Sequence, residues 1–258
     1  MTSLTVLGSG AAVPAARRAP PGYLITTDDR SAFLVDPGPG ALHRAVVGGT
    51  EVEAIKTVFL THHHPDHTLD LMSLLFARRS VLLRPRLGPL VVIGPRGTGD
   101  LYRRMAALYG RWVEAPAGEL EIIEVDAGLE GTPIPIASGI EGIAASVDHS
   151  APCHGYRFEF GDGTIALSGD TADCAGLDRL GRGADLFVLE CSLPDEYAST
   201  PGHLSPTGAG RAASRIGPRK LVLSHLYPSV DGRLALKTVQ RLFGGPVVLA
   251  EDGDLFEL

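Results

Sequence analysis

The chain has 258 residues, of which 44% are hydrophobic and 21% charged, and its net charge is −7. It is long enough to bury a sizeable core, and the balance excludes a disordered or fibrous protein. The negative charge gives no support to a broad polyanion-binding face, so nucleic acid is not favoured as a partner.

No run approaches the roughly 18 consecutive apolar residues that a membrane helix needs. The start, MTSLTVLGSGAAVP, lacks the basic-then-apolar pattern of a secretory leader, so the expected location is the cytoplasm. Cys153, Cys174 and Cys191 lie far apart with no C-x-x-C pair, which excludes a disulfide framework and a cysteine zinc knuckle. They read as reduced, buried thiols.

In chain order, β-rich runs occur at LTVLG (4–8), AFLVD (32–36), TVFLT (57–61), LVVIG (90–94) and LEIIEV (120–125). The second half continues with TIALS (164–168), LFVLE (186–190), LVLSH (221–225) and PVVLA (246–250). Several are too continuously apolar to face solvent, so the sheets are covered on one side or both. Helical spacing is clearest at 98–115, where Leu101, Met105, Leu108, Tyr109 and Trp112 form a stripe expected to pack in the core. A second helix is expected over 206–216, with Ser205 as N-cap and Gly217 as stop, and a third over 232–243. No repeat or linker divides the chain, so residues 1–258 read as one α/β domain of two strand-rich halves.

Within this framework FLTHHHPDHTLDL (59–71) places four histidines and two aspartates just beyond a buried-type strand. His62, His64, Asp66 and His67 form H-x-H-x-D-H, with Pro65 restricting the turn. A zinc ion takes three or four nitrogen, oxygen or sulfur ligands, and this loop offers imidazoles and a carboxylate that can serve two ions. Further donors follow other apolar runs: His149, Asp170 in SGDT, and His225 at the end of LVLSH. Singly, Asp170 can be a cap for a helix starting at Thr171, and His225 a core histidine. Their joint occurrence in this order favours ligands.

These motifs, together with LGSGAAVP, VDPGPG (35–40), DHSAPCHGYRF (148–158), GHLSPTGAG (202–210), LSHLYP (223–228) and the terminal AEDGDLFEL, resemble the metallo-β-lactamase superfamily, in its ribonuclease Z-like branch. The resemblance covers nearly the whole chain. It implies a four-layer αββα sandwich and a dinuclear metal centre. His62, His64 and His149 are then expected on one ion, Asp66, His67 and His225 on the other, and Asp170 between them. Zinc is the default, and the donor types also suit manganese and iron. Asp66, His203 and Glu190 are the residues assigned to catalysis: the GHLS histidine, His203, handles phosphate and protonates the leaving oxygen, while Glu190 orients it or raises its pKa. For both, a loop histidine and a strand-end carboxylate remain the plain alternatives. Asp70 is either a partner of a ligand histidine or a cap, and His63 points away from the metals. Gly8, Gly10, Asp36, Gly38 and Gly40 read as turns permitting close backbone approach beneath the site.

Transfer-RNA processing enzymes of this branch carry a long arm, inserted in bacterial forms between the third histidine motif and the bridging aspartate. Here 21 positions separate His149 from Asp170, room for one β-hairpin, and the family's D-C-G-E-G segment is replaced by Asp36-Pro37-Gly38-Pro39-Gly40. The expected activity is therefore metal-dependent hydrolysis of a small phosphodiester such as a cyclic nucleotide. The alternative is a carboxylic ester, thioester or lactone, and a transfer-RNA nuclease or a non-catalytic module ranks behind both. Related proteins are commonly dimers, which implies a homodimer here.

Overall fold

Apolar runs with no polar face become central strands, because only a strand covered on both sides can hide such a run from water. The computed structural model describes residues 1–136, 140–149 and 152–258; Ser150 and Ala151 of the DHSAPCHGYRF motif lie outside them. The first sheet uses β1 (Ser3–Gly8), β2 (Gly22–Thr26), β3 (Ala32–Val35), β4 (Ile55–Phe59), β5 (Leu90–Pro95) and β6 (Leu120–Val125). The second uses β7 (Thr132–Pro133), β8 (Glu141–Ser146), β9 (His154–Phe160), β10 (Gly163–Leu167), β11 (Leu186–Glu190), β12 (Leu221–Ser224) and β13 (Val247–Leu249). A last strand, β14 (Leu255–Glu257), returns to pair with β1. The orders are β14-β1-β2-β3-β4-β5-β6 and β13-β12-β11-β10-β9-β8-β7. Each sheet is antiparallel over part of its width and parallel over the rest, β3 to β6 in one and β10 to β13 in the other.

Between the sheets lie Val6, Ile25 and Phe59 from one side and Tyr156, Phe158 and Val188 from the other. Phe59 meets Tyr156 and Phe158 edge-on, with centroids 5.4 and 4.9 Å away, and so links the two sheets. On the outer faces, α1 (Ala41–Val47), α2 (Pro65–Ala77) and α3 (Thr98–Tyr109) cover the first sheet. The second is covered by α4 (Ala175–Gly181), α5 (Pro206–Ile216) and α6 (Gly232–Leu242). This is the four-layer αββα order expected from the sequence. Among the described residues, no helix is long and apolar enough to cross a membrane.

α5 begins and ends as the sequence indicates: Ser205 Oγ accepts from Gly208 N at 3.3 Å, and Gly217 stops the helix in the left-handed region at φ 69°. The 98–115 stripe behaves differently. Leu101 and Met105 pack inward, but Leu108, Tyr109 and Trp112 are 70, 48 and 53% exposed. Leu108 and Tyr109 lie on the solvent side of α3 itself, and Gly110, at φ 55°, ends the helix before Trp112. Trp112 instead packs edge-on against Phe76, 6.1 Å between centroids, under the Arg111 guanidinium. Nor does Asp170 cap a helix at Thr171, since α4 starts only at Ala175.

The ends of β4, β10, β11 and β12 and the β8–β9 connection meet at one edge of the sandwich, where parallel strands leave their carboxyl ends open. Between His149 and Asp170 the described residues make the β9–β10 hairpin, and among them there is no arm.

Candidate metal centre

β4 delivers the H-x-H-x-D-H motif through Leu60 and Thr61, and Pro65 then opens α2 at its first position, where its missing N–H costs nothing. Asp66 and His67 thus lie in the first helical turn, while His64 precedes it as the extended N-cap residue and His62 lies two positions earlier. Gly38 packs against this turn: a Cβ there would lie 2.1 Å from the Asp66 carbonyl oxygen and 2.4 Å from that of Pro21.

Each of four histidines is tied at Nδ1 by an acceptor pointing away from the centre. His67 Nδ1 lies 2.9 Å from Asp36 Oδ2, and His149 Nδ1 lies 2.8 Å from the Gly202 carbonyl. His62 Nδ1 is 3.0 Å from Thr61 Oγ1, whose own proton goes to Asp36 Oδ2 at 2.8 Å. His225 Nδ1 is 2.8 Å from Ser192 Oγ, whose proton goes to Glu190. A carbonyl, a carboxylate, or a hydroxyl that has already donated can only accept, so each ring carries its proton on Nδ1. The Nε2 atoms therefore face inward.

Two donor groups result. His62, His64, His149 and Asp170 form one, and Asp66, His67 and His225 form the other. His64 Nδ1 is 2.9 Å from His62 Nε2 and 3.3 Å from His149 Nε2. Bonds of about 2.0–2.1 Å around a tetrahedral ion put neighbouring donors roughly 3.3 Å apart, which is close to these separations. Asp170 divides its carboxylate: Oδ2 lies 3.9 Å from His62 Nε2 and 4.0 Å from His149 Nε2, while Oδ1 lies 3.4 Å from His67 Nε2 and 3.3 Å from His225 Nε2. Asp66 Oδ2 closes the second group, 3.6 and 3.7 Å from the same two nitrogens.

His67 Nε2, His225 Nε2 and Asp170 Oδ1 are buried and make no hydrogen bond. Three buried polar atoms without partners converging on one point are costly unless a cation joins them, so the residues fit a divalent ion. The electrostatics agree. Burial pulls the His62 imidazole well below its usual range, aided by His67, which keeps it neutral as a ligand must be. Burial pushes the Asp170 carboxyl up, but the charges of His225, His67 and His62 outweigh this and hold it well below the usual carboxylate range. For His67 burial works downward, yet Asp170 and Asp36 raise it well above 6.5. Without a cation its Nε2 therefore carries a proton as well, and that second proton is the one a metal ion would displace.

Glu190, 2% exposed, is the hub beside these groups. Its Oε1 accepts from Thr171 N at 2.5 Å and faces His203 Nδ1 at 3.1 Å; its Oε2 accepts from Leu204 N at 3.0 Å and from Ser192 Oγ. The His203 ring is 5.0 Å from that of His149 and 6.1 Å from that of His225, nearly parallel to the latter at 15°. With Asp170 and His225 it also forms a third grouping of donors, so the structure sets it against the centre itself. Burial lowers the His203 pKa, but the hydrogen bond and charge of Glu190 more than compensate and the net shift is upward.

Among the secondary residues, His63 turns away to Thr98 Oγ1 at 3.0 Å, as expected. Asp70 is not a partner of a ligand histidine: it accepts from Leu42 N at 2.9 Å and so holds the start of α1. The partner is Asp36, which sequence reasoning passed over as a turn residue. Asp36 and His225 are both in the left-handed region, at φ 49° and 59°, strain of a kind that clusters at functional sites. Thr61, Thr171 and Ser192 were missed too, since a lone hydroxyl residue gives no sequence signal. Cys153 donates to the Asp170 carbonyl at 3.3 Å and His154 is buried nearby; neither enters a donor group.

Comparisons with known proteins agree with this geometry. The family model of a beta-lactamase superfamily domain matches residues 31–226. A Mycolicibacterium paratuberculosis protein named ribonuclease Z is 33% identical over 272 residues, covering 98% of this chain and 96% of its own. Among solved structures, the metallo-beta-lactamase fold protein YhfI from Bacillus subtilis aligns with a TM-score of 0.85 at 24% identity, over 100% of both chains. The short form of human tRNase Z aligns at 0.77 and 23% identity, over 99% of this chain and 98% of its own. With its paired histidine and aspartate groups at the open edge of an αββα sandwich, the chain belongs to the beta-lactamase superfamily and is a metal-dependent hydrolase of its ribonuclease Z-like branch.

Proposed function

We propose that the protein hydrolyses a small phosphodiester, such as a cyclic nucleotide, at a centre of two divalent ions, zinc by default. His62, His64 and His149 would hold one ion, Asp66, His67 and His225 the other, with Asp170 shared. Bound there, the ions supply Lewis-acid polarisation of the phosphoryl group and an activated water.

The observation that carries the reading is the Glu190–His203 pair beside both donor groups. An alkoxide is a poor leaving group and needs a proton as it departs. Glu190 holds the His203 Nδ1 proton and favours the imidazolium, so Nε2–H can be given to the leaving oxygen. Thr171 N, Leu204 N and Ser192 Oγ fix the Glu190 carboxylate, which keeps the ring from turning. Thioesters and activated esters leave without such help, so an acyl hydrolase gives less reason for the pair. Residues 1–258 then serve as one catalytic domain, with a small cytoplasmic substrate.

The test is a metal-loaded panel of bis(p-nitrophenyl) phosphate, cyclic nucleotides, thioesters and lactones, with Asp66→Ala as the inactive control. His203→Ala should lower diester cleavage by about 10²-fold, a typical general-acid contribution. Turnover of thioesters or lactones alone, indifferent to His203, would move the function to acyl hydrolysis.

A second reading, endonucleolytic processing of transfer RNA, is favoured by the relative named ribonuclease Z, which this chain matches over 96% of its length. The hairpin-length segment between His149 and Asp170 and the net charge of −7 run against it. Cleavage of precursor transfer RNA at catalytic enzyme concentrations would decide for it.

A further inference from the structure

Tyr227 belongs to neither donor group and has no role assigned to it within the LSHLYP motif, yet the fold sets it against the centre. Its ring centroid is 6.2 Å from His203 and 6.2 Å from His225, perpendicular to both at 74° and 79°. The two imidazoles are themselves 6.1 Å apart, so the three rings form a near-equilateral triangle with the tyrosine as one wall.

The backbone beneath it is immobilised from several sides. Leu226 N donates to the Ser9 carbonyl at 3.1 Å, and Tyr227 N donates to that of Ser192 at 3.2 Å. Val230 N closes a turn onto the Tyr227 carbonyl at 3.0 Å, with Pro228 in the second position, where its fixed φ suits such turns. Ser192 also touches His225 and Glu190, so one residue sets the position of the tyrosine, a candidate ligand and the acid-orienting carboxylate. Among the described residues the Tyr227 hydroxyl has no hydrogen-bond partner, although the ring is partly buried. By contrast, Tyr23 and Tyr156, the buried tyrosines below the site, place their hydroxyls on Ser224 Oγ at 2.8 Å and the Leu60 carbonyl at 2.7 Å. A phenol on a tethered backbone, its ring against the acid histidine and its hydroxyl a spare donor, is suited to a substrate oxygen.

We propose that Tyr227 is a substrate-binding residue, its hydroxyl donating a hydrogen bond to a phosphoryl oxygen of the bound diester while His203 serves the leaving oxygen. This rests on the phosphodiester reading above. It gives the site a neutral donor that grips the phosphoryl group without competing for the metal ions.

The test compares wild type, Tyr227→Phe and Tyr227→Ala as metal-loaded proteins, by steady-state cleavage of bis(p-nitrophenyl) phosphate and by calorimetric titration with inorganic phosphate. Losing a hydrogen bond to a charged group should weaken phosphate binding and lower kcat/KM by about tenfold or more in Tyr227→Phe, mostly through KM. Metal content should not change. If Tyr227→Phe matches wild type in both measurements, the proposal is overturned, and so it is if only Tyr227→Ala is impaired, because the ring and not the hydroxyl then matters. A wild type that binds phosphate and cleaves diesters while Tyr227→Phe does so equally well sinks this proposal alone. A wild type that does neither sinks the phosphodiester reading and this proposal with it.

Discussion

His67 and Asp36, 31 positions apart in the chain, meet at 2.9 Å between Nδ1 and Oδ2, and the same aspartate accepts from Thr61 N and Thr61 Oγ1 at 2.8 Å each. One carboxylate thus sets the tautomer of His67 directly and of His62 through Thr61. Replacing Asp36 by Asn supplies an amide that can donate as well as accept, and the proton on His67 Nδ1 loses its fixed partner. Losses of such supporting contacts commonly cost 10- to 100-fold in metal affinity. Competition titration with a chromogenic chelator should show a drop of that size in Asp36→Asn, with the far-ultraviolet circular dichroism unchanged.

Three buried polar atoms without partners make the metal-free protein less stable than the loaded one. Ligand linkage gives about 4 kcal/mol at a free metal concentration 1,000 times Kd. For a chain of this size that corresponds to a rise in Tm of roughly 10 °C. Scanning calorimetry on chelator-treated protein, before and after adding zinc or manganese, measures it, and identical melting curves would refute the site.

The pH dependence of diester hydrolysis should report His203. Its pKa is raised in the fold by Glu190, against the downward pull of burial, so the protonated acid persists above the usual histidine range and activity falls as pH passes through the raised value. In Glu190→Gln the charge that favours imidazolium is gone, and the pKa falls. The alkaline limb of the kcat/KM profile should move to lower pH. A limb that stays in place would show that another group sets it.

Gly38 has no room for a side chain against the Asp66 and Pro21 carbonyls. Gly38→Ala should cost at least about 1–3 kcal/mol, the usual range for overpacking. Because the displaced peptide carries Asp66, metal affinity should fall in the same variant. Urea unfolding and metal titration together check both halves of this expectation.

The three thiols should differ in reactivity. Cys153 and Cys191 are 1 and 0% exposed, and burial pushes both thiols well above their usual pKa, with neighbouring carboxylates adding to the effect. Cys174 is only partly covered. A thiol-specific reagent should therefore label one cysteine in the folded protein and all three in denaturant, with peptide mapping to identify Cys174 as the first.

How far the site could be read from sequence depended on where each residue sits. His62, His64, Asp66, His67, His149, Asp170 and His225 stand out because each follows an apolar run or belongs to a dense motif, and the fold brings strand ends together. Asp36 does not, because an aspartate before Pro-Gly reads as a turn and its role exists only through contact with distant residues. Strands show the same limit. β11 (LFVLE) is buried along its whole length and plain in the sequence, whereas β8 (EGIAAS) and β9 (HGYRFEF) are only partly buried and mix in glycine, histidine and charge. The stripe after Thr98 fails because Leu108 and Tyr109 fall on the solvent side of α3 and Gly110 ends the helix before Trp112.

The division of donors between the two sheets has a mechanical meaning. His62, His64, Asp66 and His67 come from the end of β4, while His149, Asp170 and His225 come from the other sheet. An ion held by donors from both groups would act as a rivet through the open edge of the sandwich. Stripping the metal should loosen the seam between the sheets before it loosens either sheet, so hydrogen exchange should quicken first in the loops after β4, β10 and β12.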